Sequence, residues 1–396
     1  MILDSRYSTS IEVYPPQAES GIERREMKLA DISNDINEWF GGTGPMSDIV
    51  ISSRVRLARN LAGHKFLIRC SNNEKAEILK KLRDVLMSLD LGDKVFYISV
   101  DKAPALNKHL LIERHLISHH HAFGKGPRGA VIAHREFFTA MINEEDHLRI
   151  QVLKAACQLS QCLEQINKID DMIEQKIDYA FSPRYGYLTA CPTNLGTAVR
   201  VSVMLHLPAL KMTGQIEKFF NATRDMCLAV RGLFGEGTEA ASDFYQLSNQ
   251  VTLGVSEESI VSQFENIIIP EIVEYEKAAR NQLLSKQSDL LDDKISRAMA
   301  LLQNAHLISS QEALFLLSHL RLGINMRQYM GASTPAIDRL SKISEADGKK
   351  NLSIATINRL FMLTLPAHLQ LNYGKELDST HRDALRAQII RSALNA

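Results

Sequence analysis

Strand-like and helix-like segments alternate from Ile49 to about residue 265, and beyond that point every strong periodicity is helical. Such a chain must build one sheet with its covering helices first and then pack helices alone, which predicts an α+β unit followed by an all-helical unit. The strand signals are IVIS at 49–52, KVFYISV at 94–100, AVIA at 130–133, YGYLTA at 185–190 and VRVSVMLHL at 199–207. Apolar Ile150, Leu153, Cys157, Leu163, Ile166, Ile173 and Ile177 predict one long helix through residues 150–177. In the helical unit, Leu290, Leu291, Ile295, Met299 and Leu302 share a face. A second helix starts at Ser309 with Glu312 as its capping-box partner and is predicted to stop at Gly323. A third spans about Ser353 to Pro366, and a last one starts at Thr380 with Asp383 as box partner. Residues 1–47 are polar and carry Pro15, Pro16 and the GGTGP loop at 41–45, so they read as an extension. The expected domains are therefore 1–47, 48–265 and 266–396.

The 396 residues suffice for two domains with real cores. Lys+Arg and Asp+Glu both number 46, which argues against a general nucleic-acid or membrane-surface binder resting on a large basic excess. No apolar run approaches the roughly 18 residues of a membrane helix, and the opening MILDSRYSTSIEVYPP lacks the layout of a signal peptide, so the expected compartment is the cytoplasm. Of the five cysteines, Cys70, Cys157, Cys162 and Cys227 read as buried small hydrophobes, while the neighbours of Cys191 keep its role open. No CxxC pair and no GxxxxGK[ST] occurs, and the GxGxxA at 235–240 (GEGTEA) follows no clear strand, so neither a P-loop nor a dinucleotide fold is expected.

What the chain offers instead is arginine at strand spacing. Arg54 and Arg56 in ISSRVRLAR lie two apart and project from one face of an extended strand. In RVSVMLHL, Arg200, Ser202, Met204 and His206 share one face, and Val201, Val203, Leu205 and Leu207 share the other. A solvated strand alternates in the same way, but converging guanidinium groups also suit bidentate grip on phosphate oxygens. MINEEDHLRIQ places Glu144, Glu145 and Asp146 before Arg149, between an apolar stretch and a predicted helix, so at least one carboxylate should point inward. Arg231 and Glu236 sit among Gly232, Gly235 and Gly237, in a loop that brings backbone close to a ligand.

Taken in order, SSRVRLARNL, NEEDHLR, CPTNLGTAVR and RGLFGEGTEA resemble the ATP:guanido phosphotransferases, over about residues 48–265. The resemblance implies a phosphagen-kinase-like catalytic domain with an antiparallel sheet flanked by helices, and ATP with Mg²⁺ as cofactors. At matching positions it implies nucleotide contacts from Ser52, Ser53, Arg54, Val55 and Arg56, from Arg149, from Arg200, Val201, Ser202, Val203 and Met204, and from Arg231, Gly232, Leu233, Phe234, Gly235 and Glu236, with His115 as a weaker match. Glu145 and Glu236 would hold the guanidino group as catalytic residues, and Cys191 would lie beside it. The chain lacks room for the helical domain that precedes this core in small-substrate phosphagen kinases, and Leu233 and Phe234 replace a threonine and an arginine of the phosphagen pattern. HRDALRAQIIRSAL at the end is similar to the RDxxRA phosphoarginine-binding motif of the branch that phosphorylates arginine in proteins, implying Arg382, Asp383, Arg386 and Ala387 as that site. By residue pattern alone the trio better suits a solvated face, with Leu385 and Ile389 turned to the core; the motif resemblance reverses that reading. The branch implies protein substrates, an activator protein, Clp-type degradation under stress, allosteric regulation and room for a homodimer, with no nucleic-acid or membrane partner. The rival expectations are a kinase of free arginine or another small guanidino compound, and a non-catalytic phosphoarginine-binding adaptor.

Overall fold

The computed structural model describes residues 12–14, 38–92, 94–232, 243–345, 352–374 and 376–395. Among the described residues eleven strands are β1 (Glu12–Tyr14), β2 (Val50–Arg59), β3 (Val95–Ser99), β4 (Gly129–Ala133), β5 (Phe138–Ile142), β6 (Leu148–Ala155), β7 (Phe181–Ser182), β8 (Gly186–Tyr187), β9 (Val199–His206), β10 (Leu228–Gly232) and β11 (Phe244–Asn249). Nine of them form one sheet in the order β1-β3-β4-β5-β6-β2-β9-β11-β10, every neighbouring pair antiparallel. β7 and β8 form a separate hairpin.

The alternation of β2 decides how this sheet is buried. Val55 and Leu57 point into the core with Val201, Val203, Ile150 and Val152, all nearly sealed from solvent. The helix Leu159–Glu174 covers that face with Leu159, Cys162, Leu163, Ile166 and Ile173. Residues 150–155, expected as the start of that helix, instead belong to the strand β6 (Leu148–Ala155). Leu148, Ile150 and Val152 also alternate with period 2, and pairing with both β5 and β2 selects the strand. β5, β10 and β11 were likewise not among the strand signals read, and YGYLTA contributes only the two-residue β8. The amino-terminal extension is not wholly loose: β1 pairs with β3, and Trp39 and Phe40 are buried against the core.

After Asn249 all described elements are helical. The helix capped by Ser309, whose hydroxyl accepts from Glu312 N, runs Ser310–Met330 and passes straight through Gly323. A Cβ at Gly323 would stand 2.8 Å from Leu340 Cδ1 and 3.1 Å from Ile295 Cδ1, so this glycine permits close helix packing, and Gly331, at φ +64°, ends the helix. Ser353 caps Ile354–Leu363 as expected. The last helix is Ser379–Leu394, capped by Asp378 through His381 N and not by a box at Thr380. Leu290 is exposed, so the buried face of Ser288–Asn304 is Leu291, Ile295, Ala298 and Leu302. Cys157 and Cys162 are buried, but Cys70 is only half-buried and Cys227 is exposed.

Candidate active site

Strand register collects the arginines. Arg56 faces Arg200 across β2 and β9, Arg54 faces Ser202, and Ala58 faces Arg149 across β2 and β6. Arg231 of β10 faces Gln246 of β11, which in turn faces Met204. Directly opposed residues share a face, so Arg54, Arg56, Arg149, Arg200 and Arg231 all stand on the side of the sheet away from the helix Leu159–Glu174. Arg54 Nε donates to Ser202 Oγ at 3.2 Å and Nη2 to Gln246 Oε1 at 2.8 Å. Arg200 Nη2 donates to Ser248 Oγ at 3.0 Å. Nε and Nη2 of Arg56 are sealed from water and have no hydrogen-bond acceptor.

This concentration of positive charge depresses its own members. Burial, followed by repulsion from Arg149, Arg200 and Arg231, brings Arg54 down to about 9, and burial with the same neighbours pushes Arg56 well below its ordinary range. His115 follows Glu113 and Arg114 in a left-handed conformation (φ +58°), with its ring edge-on to Trp39 at 5.2 Å. Burial and the adjacent Arg54 and Arg56 hold it near 3, hence neutral. A recess at this end of the arginine row is lined by Trp39, Ser52, Arg54, His115, Met204 and Gln246. Ser53, Val55, Val201 and Val203 lie on the other face: the valines are fully buried, and Ser53 Oγ donates to the Ala156 carbonyl at 2.7 Å.

The acidic trio occupies the hairpin turn between β5 and β6, not the entrance to a helix. Glu144 is not a solvated turn residue. It is 8% exposed, its carboxylate accepts from Arg149 Nη1 at 2.9 Å, from Ser118 Oγ at 2.6 Å and from Glu145 N at 2.9 Å. Burial opposes its ionisation, but Arg149, Ser118 and His121 outweigh it and hold the carboxyl at about 2. Arg149 is raised in turn, because Glu144 outweighs the cost of burying it. Asp146 Oδ1 accepts from Asn60 Nδ2 at 2.6 Å and from Ala190 N at 2.7 Å, which ties the loop that carries Cys191 to the acidic turn. Glu145 alone of the three reaches open solvent, and partial burial with the neighbouring Asp146 and Glu144 carboxylates raises its pKa. Cys191 is half-buried, its Sγ 3.0 Å from Thr193 Oγ1. A dense cationic floor therefore lies next to a turn whose one outward carboxylate is primed to take a proton.

Residues 77–279 match the family described as ATP:guanido phosphotransferase, C-terminal catalytic domain, and residues 288–346 and 344–396 match the protein-arginine kinase McsB C-terminal domain. A protein-arginine kinase of Halothermothrix orenii is 41% identical over 370 residues, covering 93% of this chain and 100% of the relative. One from Bacillus subtilis is 38% identical over 369 residues, covering 92% and 95%. The chain belongs to the protein-arginine kinases. Its fold is similar to that of lombricine kinase (TM-score 0.54, 26% identity, 64% of this chain and 71% of that one). It is also similar to the duplicated taurocyamine kinase of Schistosoma mansoni with bound transition-state-analogue components (TM-score 0.55, 26% identity, 60% and 34%).

The remaining site residues of this protein-arginine kinase family member divide three ways. Gly232 ends β10 beside Arg231, while Leu233, Phe234, Gly235 and Glu236 lie outside the described residues. In the carboxy-terminal trio, Arg386 is 1% exposed: Nε donates to the Thr364 carbonyl and Nη1 to the Ile308 carbonyl, both at 2.8 Å, and Nη1 also meets Asp383 Oδ1 at 2.5 Å. Burial lowers its pKa against the pull of Asp383. Arg386 and Ala387 therefore pack inward with Ile390 and Leu394, and Leu385 and Ile389 are only half-buried, which reverses the face expected from the pattern. Arg382 donates to the Leu377 carbonyl at 2.7 Å and keeps part of its surface in solvent. Third, the structure adds Trp39, Glu144, Gln246 and Ser248. The last two alternate with Tyr245 and Leu247 in FYQLSN, a period-2 signal present in the sequence, whereas nothing local marks Trp39.

Proposed function

We propose that this chain transfers the γ-phosphoryl group of ATP to a side-chain nitrogen of arginine in a protein. The observation that carries the reading is the row of five arginines on one sheet face, ending at a turn whose free carboxylate has a raised pKa. Arg54, Arg56, Arg149, Arg200 and Arg231 take the phosphates in this reading, with Trp39 and His115 at the end of the row. The acceptor guanidinium stays protonated at any physiological pH and has no free lone pair. As the N–P bond forms and the bond from the γ-phosphorus to the ADP oxygen breaks, Glu145 with Glu236 accepts the nitrogen's proton, and the arginines spread the charge on the phosphoryl oxygens. Alignment of nitrogen and phosphorus between floor and turn supplies the entropic share. Cys191 is assigned a place beside the guanidino group.

Among the described residues no group of three or more His, Cys, Asp or Glu side chains could hold a metal. Mg²⁺ is therefore assigned to the substrate, entering with the nucleotide and held by its phosphates and water. The boundaries 1–47, 48–265 and 266–396 are part of this proposal, with the helical unit recognising phosphoarginine. There a ligand would meet the exposed parts of Arg382 and Asp383, because Arg386 is committed to Thr364 and Ile308. An activator protein, Clp-linked turnover under stress, a cytoplasmic site of action and a homodimer belong to the same proposal. Among the described residues no helix is long and apolar enough to cross a membrane. Incubation with ATP and casein tests the reading: the expected product is acid-labile, alkali-stable phosphate on arginine, and phosphate confined to serine or threonine would overturn it.

A further inference from the structure

Three chain segments meet: the β7–β8 hairpin, residues 191–197, which include Cys191, and residues 250–255. They are in backbone contact. A Cβ on Gly186 would lie 2.3 Å from the Gly196 carbonyl oxygen, and one on Gly196 would lie 2.5 Å from that of Thr252, so only glycine allows both approaches. Tyr187 N donates to the Gly196 carbonyl at 2.9 Å, and Thr252 Oγ1 donates to the carbonyls of Thr193 and Leu195 at 3.1 and 2.7 Å. Beneath them Arg59, bound to Asp170 at 2.7 Å, lies 3.6 Å from the Tyr187 ring centroid and fixes that ring in place. Close backbone approach, hydrogen bonds and a buried ion pair thus hold the three segments together.

Its upper surface is unusual for a soluble chain. Phe181, Tyr185 and Leu253 are 58%, 43% and 54% exposed and line one open groove with Tyr187. Glu257 and Glu258 line the same groove together with Arg184, whose guanidinium lies 5.1 Å from the Tyr185 ring centroid. A free guanidino compound held at Glu145 is too small to reach such a surface as well. A polypeptide is not, since extended chain advances about 3.3 Å per residue and alternates its side chains. One wall of the groove, Gly196 and Thr197, belongs to the same loop as Cys191, which links the groove along the chain to the proposed acceptor site, and its two carboxylates outnumber the Arg184 cation, leaving it acidic toward arginine- and lysine-bearing segments.

We propose that this groove docks the extended polypeptide flanking the target arginine, apolar neighbours seating on Phe181, Tyr185 and Leu253 and basic ones facing Glu257 and Glu258. This rests on the protein-arginine kinase reading and assigns its substrate surface. The test compares Phe181→Ala/Leu253→Ala with wild type on three readouts: KM for unfolded casein, turnover of the blocked tripeptide acetyl-Ala-Arg-Ala-amide, and KM for ATP. The expected result is a KM for casein raised about tenfold with kcat retained, the other two readouts unchanged. Glu258→Lys, a change at an exposed position, should selectively weaken lysine-flanked arginine peptides. Unchanged casein KM overturns the proposal, as does an equal loss on the tripeptide or a shift in oligomeric state without a KM change. If wild type modifies no arginine in casein, the kinase reading itself fails, an outcome distinct from these.

Discussion

Arg56→Met should make the protein more stable and a worse ATP binder at the same time. In this fold the guanidinium has Nε and Nη2 sealed without acceptors, and it stands among four other arginines. Replacing this half-buried cation, crowded by like charges, with an apolar side chain of similar length should stabilise by roughly 1–4 kcal/mol, as apolar replacement of buried charge often does. At about 2–4 °C per kcal/mol, the lower end applying to a chain this long, melting should rise by about 2–8 °C. If the same group grips a phosphate, its loss removes a charge-assisted bond worth roughly 1.5–3 kcal/mol, or about 10- to 150-fold in ATP affinity. Differential scanning calorimetry of the free protein and titration calorimetry with ATP measure the two effects separately. The opposite signs are the diagnostic feature: a site held ready for an anion destabilises the empty state. A variant that melts lower and binds ATP normally would refute the reasoning, since it would make Arg56 part of the scaffold.

Glu145→Gln should keep the fold and ATP affinity but lower phosphoryl transfer by about 100-fold or more, the usual worth of a positioned base; quench-flow of arginine phosphate measures it. The raised pKa of Glu145 means that the base form is lost on the acid side, so the log of kcat should fall as pH drops through a value above the ordinary glutamate range, and Glu145→Gln should abolish that limb. Arg386→Ala should cost roughly 3–5 kcal/mol by leaving the Asp383, Thr364 and Ile308 partners unmet, whereas Arg382→Ala should leave melting nearly unchanged and weaken only phosphoarginine binding. Burial holds His115 at about 3 and His147 at about 4, so between those values and 6.5 the unfolded chain binds more protons than the folded one; stability therefore falls as pH drops through that window, and melting at pH 5 should lie below that at pH 7.

The arginine floor was legible because its signal is local: residues two apart in a strand share a face, whatever the strand pairs with. The partners were not, since Arg56 opposite Arg200 and Arg231 opposite Gln246 follow from sheet order. β6 misled because Ile150, Leu153 and Cys157 fit a helical period as well as Leu148, Ile150 and Val152 fit a strand. Glu144 and Arg386 mark a different boundary. Charged residues in a turn or on a helix default to solvent, and only Arg149 and Ser118 in one case, and the carbonyls of Thr364 and Ile308 in the other, make burial affordable. Gly323 read as a stop because its packing partners, Ile295 and Leu340, lie in other helices.

The central claim is that the acceptor is arginine within a protein. Unfolded casein and free arginine, mixed at equal concentration of guanidino groups with limiting ATP, compete for the same phosphoryl group, and ³¹P NMR with tandem mass spectrometry assigns the product. The account predicts phosphoarginine within casein peptides and at most a trace of free phosphoarginine; free phosphoarginine as the main product, with casein unmodified, would contradict it.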